Sequence, residues 1–198
     1  MFKLFKSDRL SKAYKAITVD DLTGLHKHLS KLENNEINLP VAEGLPTLIE
    51  AAITAHSPKA IKLMVDFGAD IQGQSNQQPK YTLFELALQQ PNSHALLGAL
   101  LTAHEKPDLQ PLLITCFEQC NETTLMMHLS LFVQHGAKLT DEHILMSLSA
   151  NRPELVHFVI NSGATKPDIF DISPYDPAIV AYANKCWDDI KIREMMMS

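Results

Sequence analysis

Nine histidines and three cysteines are the side chains best equipped for chemistry in this sequence. Cys116 and Cys120 stand four apart in "CFEQC", which puts both on one face of a helix. His26 and His28 stand two apart and diverge on one. Zinc takes about four ligands from Cys, His and carboxylate, and the chain contains neither Cys-x-x-Cys nor His-Glu-x-x-His. Nor does it contain Gly-x-Ser-x-Gly, Gly-x-x-x-x-Gly-Lys or Gly-x-Gly-x-x-Gly, the spacings that expose a nucleophile or cradle a phosphate. The acidic pairs Asp20-Asp21 and Asp188-Asp189 are adjacent, so their carboxylates splay apart, and Asp20 or Asp21 reads as a helix cap. These residues predict no catalytic group, no bound metal and no cofactor.

The composition is that of a protein with a real core: 198 residues, 45% hydrophobic, mean hydropathy −0.06. Glycine is scarce and alternating strand-like runs are few, which predicts an all-α fold. Three cysteines are too few, and odd in number, for a disulfide framework, so a reducing, cytoplasmic setting is expected. The opening "MFKLFKSDRLSK" has no sustained apolar region, so no signal peptide is expected, and no apolar run approaches the roughly 20 residues of a membrane span. Net charge is −6, unevenly spread: seven basic and three acidic residues give +4 over 1–31, leaving −10 for the rest. An acidic body argues against nucleic acid, whose binding relies on Lys and Arg at phosphates. The basic N-terminal stretch reads as a solvated face, or else as a contact for an acidic partner or a membrane surface.

Three segments end alike: "IKLMVDFGAD" (61–70), "LFVQHGAK" (131–138) and "HFVINSGAT" (157–165). Gly68 and Gly136 lie twice 34 residues apart, Gly163 follows after 27, and "YTLFELALQQPNSHALLGALLTAHEKPD" (81–108) fits between as a unit without the glycine. Each unit reads as two helices. In 47–67, Ser57 caps and Pro58 opens the second helix, Ala60, Ile61, Met64 and Val65 form its stripe with Leu63 widening it, and Gly68 closes it. In 142–164, Pro153 opens the helix, Leu155, Val156, Val159 and Ile160 form the stripe, and Gly163 ends it. "NETTLMM" (121–127) reads as a long joint. The proline-rich "TKPDIFDISPYDP" (165–177) reads as a connector. Asp176-Pro177 then starts a last helix with Ile179, Tyr182, Ala183, Cys186, Trp187, Ile190 and Met197 on one face, a cap for the end of a stack. Met195–Met197 read as a frayed terminus or an adaptable contact surface.

"TLIEAAITAHSPKAIKLMVDFGADI" (47–71) resembles an ankyrin repeat: Leu48, Ala51, Ala52, His56, Gly68, Ala69 and Asp70 match, with one extra residue between the helices. "ILMSLSANRPELVHFVINSGAT" (144–165) resembles the second half through Glu154, Leu155, Val156, Val159, Ile160, Gly163 and Ala164. The resemblance covers about 11–165. It implies an ankyrin-like solenoid of about five helix pairs with a C-terminal capping helix, in a single domain over 1–198. Its parts are a degenerate first repeat at 11–32, repeats at 44–72, 79–108, 109–138 and 141–165, a connector at 166–175 and the cap at 176–197. Within it Cys116 falls at a core alanine position and Cys120 before a turn, both as small hydrophobes. Ile49, Phe84, Ile114 and Leu145 stand for the family's Thr-Pro-Leu-His histidine, so the Thr–His hydrogen bonds are expected to be absent and apolar packing to replace them. The connectors are irregular, which leaves the β-hairpin fingers open.

The resemblance also implies recognition of a protein partner on a concave face. Carried over position by position, the exposed places of the first helices are Ile53, Thr54, Leu88, Gln89, Glu118, Gln119, Ser149 and Ala150. The finger places are Glu43, Gln78, Lys80, Asp108, Gln110 and Asp141. A non-catalytic protein-binding module is therefore expected. The alternatives are an immunity- or antitoxin-type neutraliser of a basic partner, an enzyme with an unfamiliar site, and metal binding through histidines.

Overall fold

Among the described residues from Leu22 to Asn161, short helices alternate with turns. The computed structural model describes residues 2–33, 35–76, 79–167 and 171–197, with side chains from Asp8 onward. Among these residues it is all-helical, with no strand: α1 (Phe2–Thr18), α2 (Leu22–Leu29), a 3₁₀ turn (Glu36–Asn38), α3 (Leu48–Thr54), α4 (Pro58–Asp66), α5 (Leu83–Leu88), α6 (Ser93–Leu100), α7 (Gln110–Gln119), α8 (Glu122–Gln134), α9 (Asp141–Ser149), α10 (Pro153–Asn161) and α11 (Pro177–Met197). The chain forms two compact units, Met1–Pro107 and Asp108–Ser198.

In the first unit α1 packs on α2, α3 on α4 and α5 on α6; α1, α3 and α5 also pack in a row, as do α2, α4 and α6. Leu25, Leu48, Ala52, Ile61, Met64, Leu96, Leu97 and Leu100 are buried to 1% exposure or less between the two rows. α3 touches α1, α4 and α5 at once, so every residue from Leu48 to Ile53 is buried. In the second unit α7 packs on α8 and α9, α9 on α10, and α10 on α11, around Leu113, Cys116, Leu129, Phe132, Ile144, Leu155, Val156 and Val159.

Two expectations about elements are corrected here. Residues 122–127 are not a joint but the first turns of α8: Asn121 Oδ1 accepts from the Thr124 N–H at 3.0 Å, and Leu125, Leu129 and Phe132 continue one buried stripe. Met197 does not join the buried face of α11. Ile179, Val180, Ala183, Cys186 and Trp187 make that face against α10, while Met195, Met196 and Met197 are exposed beyond it.

The repeated Gly-Ala has a specific cause. Gly68, Gly136 and Gly163 are left-handed, with φ of 82°, 99° and 101°. The Gly68 N–H donates to Val65 O at 2.9 Å and the Ala69 N–H to Met64 O at 2.9 Å, a Schellman turn. Gly136 with Ala137 and Gly163 with Ala164 repeat it, and the alanine methyl is buried each time. The first helices of three pairs turn on left-handed residues too, but on Asp20, His56 and Asn151 (φ 55°, 54° and 52°). After the first two, the next residue caps the second helix: Asp21 Oδ1 accepts from Gly24 N and Ser57 Oγ from Ala60 N.

The starts of the first helices overturn the expectation of purely apolar contacts. The third residue after Thr47, Thr82 and Thr140 is Glu50, Glu85 and His143, and each forms a reciprocal capping box with its threonine. Glu50 is fully buried; one carboxylate oxygen accepts from the Thr47 N–H (2.7 Å) and the other from the Asn76 N–H (2.7 Å) in the following connector. A polar link from one module to the connector of the next is thus present at Glu50, one position after Ile49; Glu85 likewise follows Phe84, and His143 lies two positions before Leu145. The fingers shrink to isolated antiparallel bridges, Pro40 with Thr47 and Gln74 with Thr82.

Gly68 and Gly98 separate backbone strain from helix propensity. An added methyl meets no atom within 4 Å at either, but Gly68 is left-handed while Gly98 lies inside α6. Gly68→Ala is expected to destabilise by about 1–2 kcal/mol, and Gly98→Ala to stabilise by roughly 0.5–1 kcal/mol. Urea midpoints measure both; shifts of the same sign would contradict the assignment.

Candidate functional site

The first helices end at the surface, and most of the expected contact residues are found there. Thr54 closes α3, Gln89 follows α5, Glu118 and Gln119 close α7, and Ser149 closes α9; all are exposed, as is Ala150. Glu43, Lys80, Asp108 and Asp141 are exposed in the preceding connectors. Gln78 lies outside the described residues.

Three expected positions are not free surface. Ile53 is completely buried, because α3 is flanked by α1, α4 and α5 and only its last residue emerges. Leu88 is half-buried. Gln110 is committed internally: its Nε2 donates to Lys138 O and its Oε1 accepts from the Lys138 N–H, both at 2.8 Å, clasping the chain that leaves α8 to the start of α7. Asp108 Oδ1 accepts from the Gln110 N–H at 3.0 Å, which begins α7 in place of a threonine box. The usable positions therefore fall into a set on each unit: Glu43, Thr54, Lys80 and Gln89 on the first, and Asp108, Glu118, Gln119, Asp141 and Ser149 on the second.

Charge separates the units further. Residues 108–198 contain six basic and twelve acidic side chains, so they carry the entire net −6, whereas 1–107 contain eleven of each. Glu154, held below the usual carboxylate range by a backbone N–H and by Arg152, keeps its negative charge on this unit. Asp171 is lowered likewise by hydrogen bonds from Ser173.

Among the described residues no group of three His, Cys, Asp or Glu side chains is arranged to hold a metal ion, and no helix is long and apolar enough to cross a membrane. His26 is exposed, its ring edge-on to Phe67 with centroids 5.3 Å apart, and His28 points elsewhere. His56 serves its turn with its backbone, whose carbonyl accepts from Asn92 Nδ2 at 3.0 Å. Two contacts join residues that helical spacing does not associate. Cys120 Sγ lies 3.5 Å from His128 Nδ1, and Cys186 Sγ lies 3.7 Å from His157 Nδ1. In the first, a hydrogen bond from the Cys116 thiol, helped by His128 and Thr124, holds Cys120 well below the usual thiol range, and Cys116 is pushed up in return. In the second, burial pushes Cys186 up. Cys116 is the small buried hydrophobe the sequence leads one to expect; Cys120 is half-buried and polar in its contacts.

Compared with protein-family models, curated proteins and solved structures, the chain matches none.

The capping box of His143 is sensitive to acid. His143 is 2% exposed, its Nδ1 accepts from the Thr140 N–H at 3.0 Å, and its Nε2 has no partner among the described residues. Burial lowers its pKa from the ordinary 6.5, because protonation would charge a dry ring and turn its acceptor into a donor. Below 6.5 the unfolded chain therefore binds this proton before the folded one does. Stability is full above that pH and falls as pH drops through the folded value, by at most about 1.4 kcal/mol per unit. Urea unfolding between about pH 7.5 and pH 5 should show this slope, reduced in His143→Gln; equal slopes in the two proteins would contradict it.

Proposed function

We propose that the chain is a non-catalytic protein-binding module of the ankyrin-like kind, its two-helix repeats packed side by side within each unit and holding a protein partner with exposed helix ends and connectors. The observation that carries this reading is a plan complete in α3–α4 and repeated in part by other pairs. In α3–α4 a threonine box opens the first helix, a left-handed residue and a cap turn the chain, an apolar second helix follows, and Gly-Ala closes it; α9–α10 repeats the box, the left-handed turn and the Gly-Ala end, α5–α6 the box, and α7–α8 the Gly-Ala end. A module built this way spends its apolar side chains on its neighbours. The ends of the first helices are left to water and to partners, and there the side chains are polar: Thr54, Gln89, Glu118, Gln119 and Ser149. Repeat stacks characteristically recognise other proteins through such positions. The reading places the protein in the cytoplasm, with no cofactor and no nucleic acid.

The acidic second unit favours a more specific version, in which the partner is basic and binding neutralises it. Electrostatic association of that kind speeds up at low salt and weakens as salt rises.

Immobilised full-length protein and a variant with Gln89, Glu118 and Gln119 changed to alanine, run in parallel over native extract, test the reading. The expected result is a protein retained by the parent and reduced at least tenfold, about 1.4 kcal/mol, by the variant, whose urea midpoint is unchanged. Identical captured sets would remove the face assignment. For the basic-partner version, retention that does not vary with salt would count against it.

A further inference from the structure

We propose that this chain self-associates, the exposed end of α11 in one molecule docking into the groove between α2 and α4 of a second copy. The argument starts on the outer side of α11. Ile179, Val180, Ala183, Cys186 and Trp187 are its buried face. At about 3.6 residues to the turn, Asp188, Asp189, Ile192, Met195 and Met196 fall on the opposite side. Every residue from Lys191 to Met197 is exposed. Ile192 is 50% exposed, Met195 70% and Met196 82%. A helix that ends a stack is expected to turn a polar face to water. This one presents three large apolar side chains at i, i+3 and i+4, the spacing by which a helix anchors in a groove. Methionine suits such a contact, because it adapts to an irregular surface.

A groove of matching chemistry lies on the first unit, where α2 packs on α4. It is shallow, with a volume of about 510 Å³. Leu22 and Leu63, both half-buried, give it apolar walls, and Lys59, Lys62 and His26 add basic side chains. Asp66 is the acidic group among its lining residues. Lys59, Lys62, Leu63 and Asp66 follow helical spacing along one face of α4, so their order on that face is fixed. The two lysines come first, Leu63 next and Asp66 last.

The same order, with opposite charge, runs along the outer face of α11: Asp188 and Asp189, then Ile192, then Met195 and Met196. With the two helices parallel, the aspartates meet Lys59 and Lys62, and Ile192 and Met196 cover Leu63 and Leu22. Reversed, the aspartates would meet Asp66. Arg193 does not bring positive charge to this face, because its Nη2 donates to Asn161 Oδ1 at 2.8 Å on the body of its own unit. Apolar burial supplies the attraction, and the charges choose the direction. The contact joins different patches on the two molecules, so it is heterologous and association extends into a ring or a chain.

Sedimentation velocity on the full-length protein across a concentration series tests this. The expected result is a mean mass that climbs with concentration. Two variants change only exposed residues and should keep the parent's urea midpoint: Ile192→Asp with Met196→Asp in the helix end, and Lys59→Glu with Lys62→Glu in the groove. Each should weaken association roughly tenfold or more. An equal mixture of the two should form pairs, since one keeps its groove and the other its helix end. Adding Asp188→Lys and Asp189→Lys to the groove variant should restore association. A parent that stays monomeric at every concentration would overturn the proposal. So would a mixture that stays monomeric, or a groove variant that associates as the parent does, which would mean that α11 ends meet one another instead. No substitution here touches Gln89, Glu118 or Gln119, so failure would leave the proposed partner surface standing.

Discussion

Helices of this length do not persist alone. α3 has seven residues, α5 six and α2 eight, whereas isolated helices shorter than about 12–15 residues are marginal in water. Each exists because its neighbours take its apolar face out of water, and nearly every side chain of α3 is used for that. A two-turn helix also leaves four N–H and four C=O groups without intrahelical partners, more than its own ladder satisfies. Burial between neighbours and satisfied ends are therefore one requirement, met together. The threonine boxes supply acceptors at the starts, and the left-handed turns return N–H groups to the last carbonyls.

That requirement explains which features were readable from sequence. The end signals are local: Ser57-Pro58, Arg152-Pro153 and Asp176-Pro177 start helices, and Gly68, Gly136 and Gly163 end them, because each acts through bonds spanning three to five residues. The all-helical class followed from the same signals. Residues 121–127 were misread because polar Asn121-Glu122-Thr123-Thr124 looks like a loop, whereas an asparagine cap with a glutamate in the first turn is how a helix begins. The division at Pro107 had no local signature; it depends on which helices touch.

The polar links show the same limit more sharply. Matching the apolar residues of 47–52 to a repeat pattern puts Ile49 where a histidine is expected and gives the next residue, Glu50, no role. A carboxylate is worth burying only when its oxygens are occupied, and the bond that completes Glu50 comes from Asn76, 26 residues away. His143 occupies the corresponding place in a later module. Ile53 and Gln110 were taken for contact residues by spacing alone. One is enclosed by three helices, and the other is clasped to Lys138 across 28 residues. The meeting of Cys120 with His128 crosses a helix turn at a separation of eight, which neither helical nor motif spacing flags. What remained legible of the candidate surface was its helix-end positions, Thr54, Gln89, Glu118, Gln119 and Ser149, since a helix end that points away from its neighbours stays wet.

Mutual support between neighbouring short helices is the claim on which both the fold and the proposed surface stand. Hydrogen exchange read by mass spectrometry on the intact chain, before and after Met64→Ala in α4, tests it most directly, since Met64 is fully buried and its truncation costs about 2–5 kcal/mol. If the helices sustain one another, protection falls together in α2, α3, α4 and α6, the neighbours of α4. Protection lost in α4 alone, with α3 and α6 unchanged, would mean that the helices stand independently and would contradict this account.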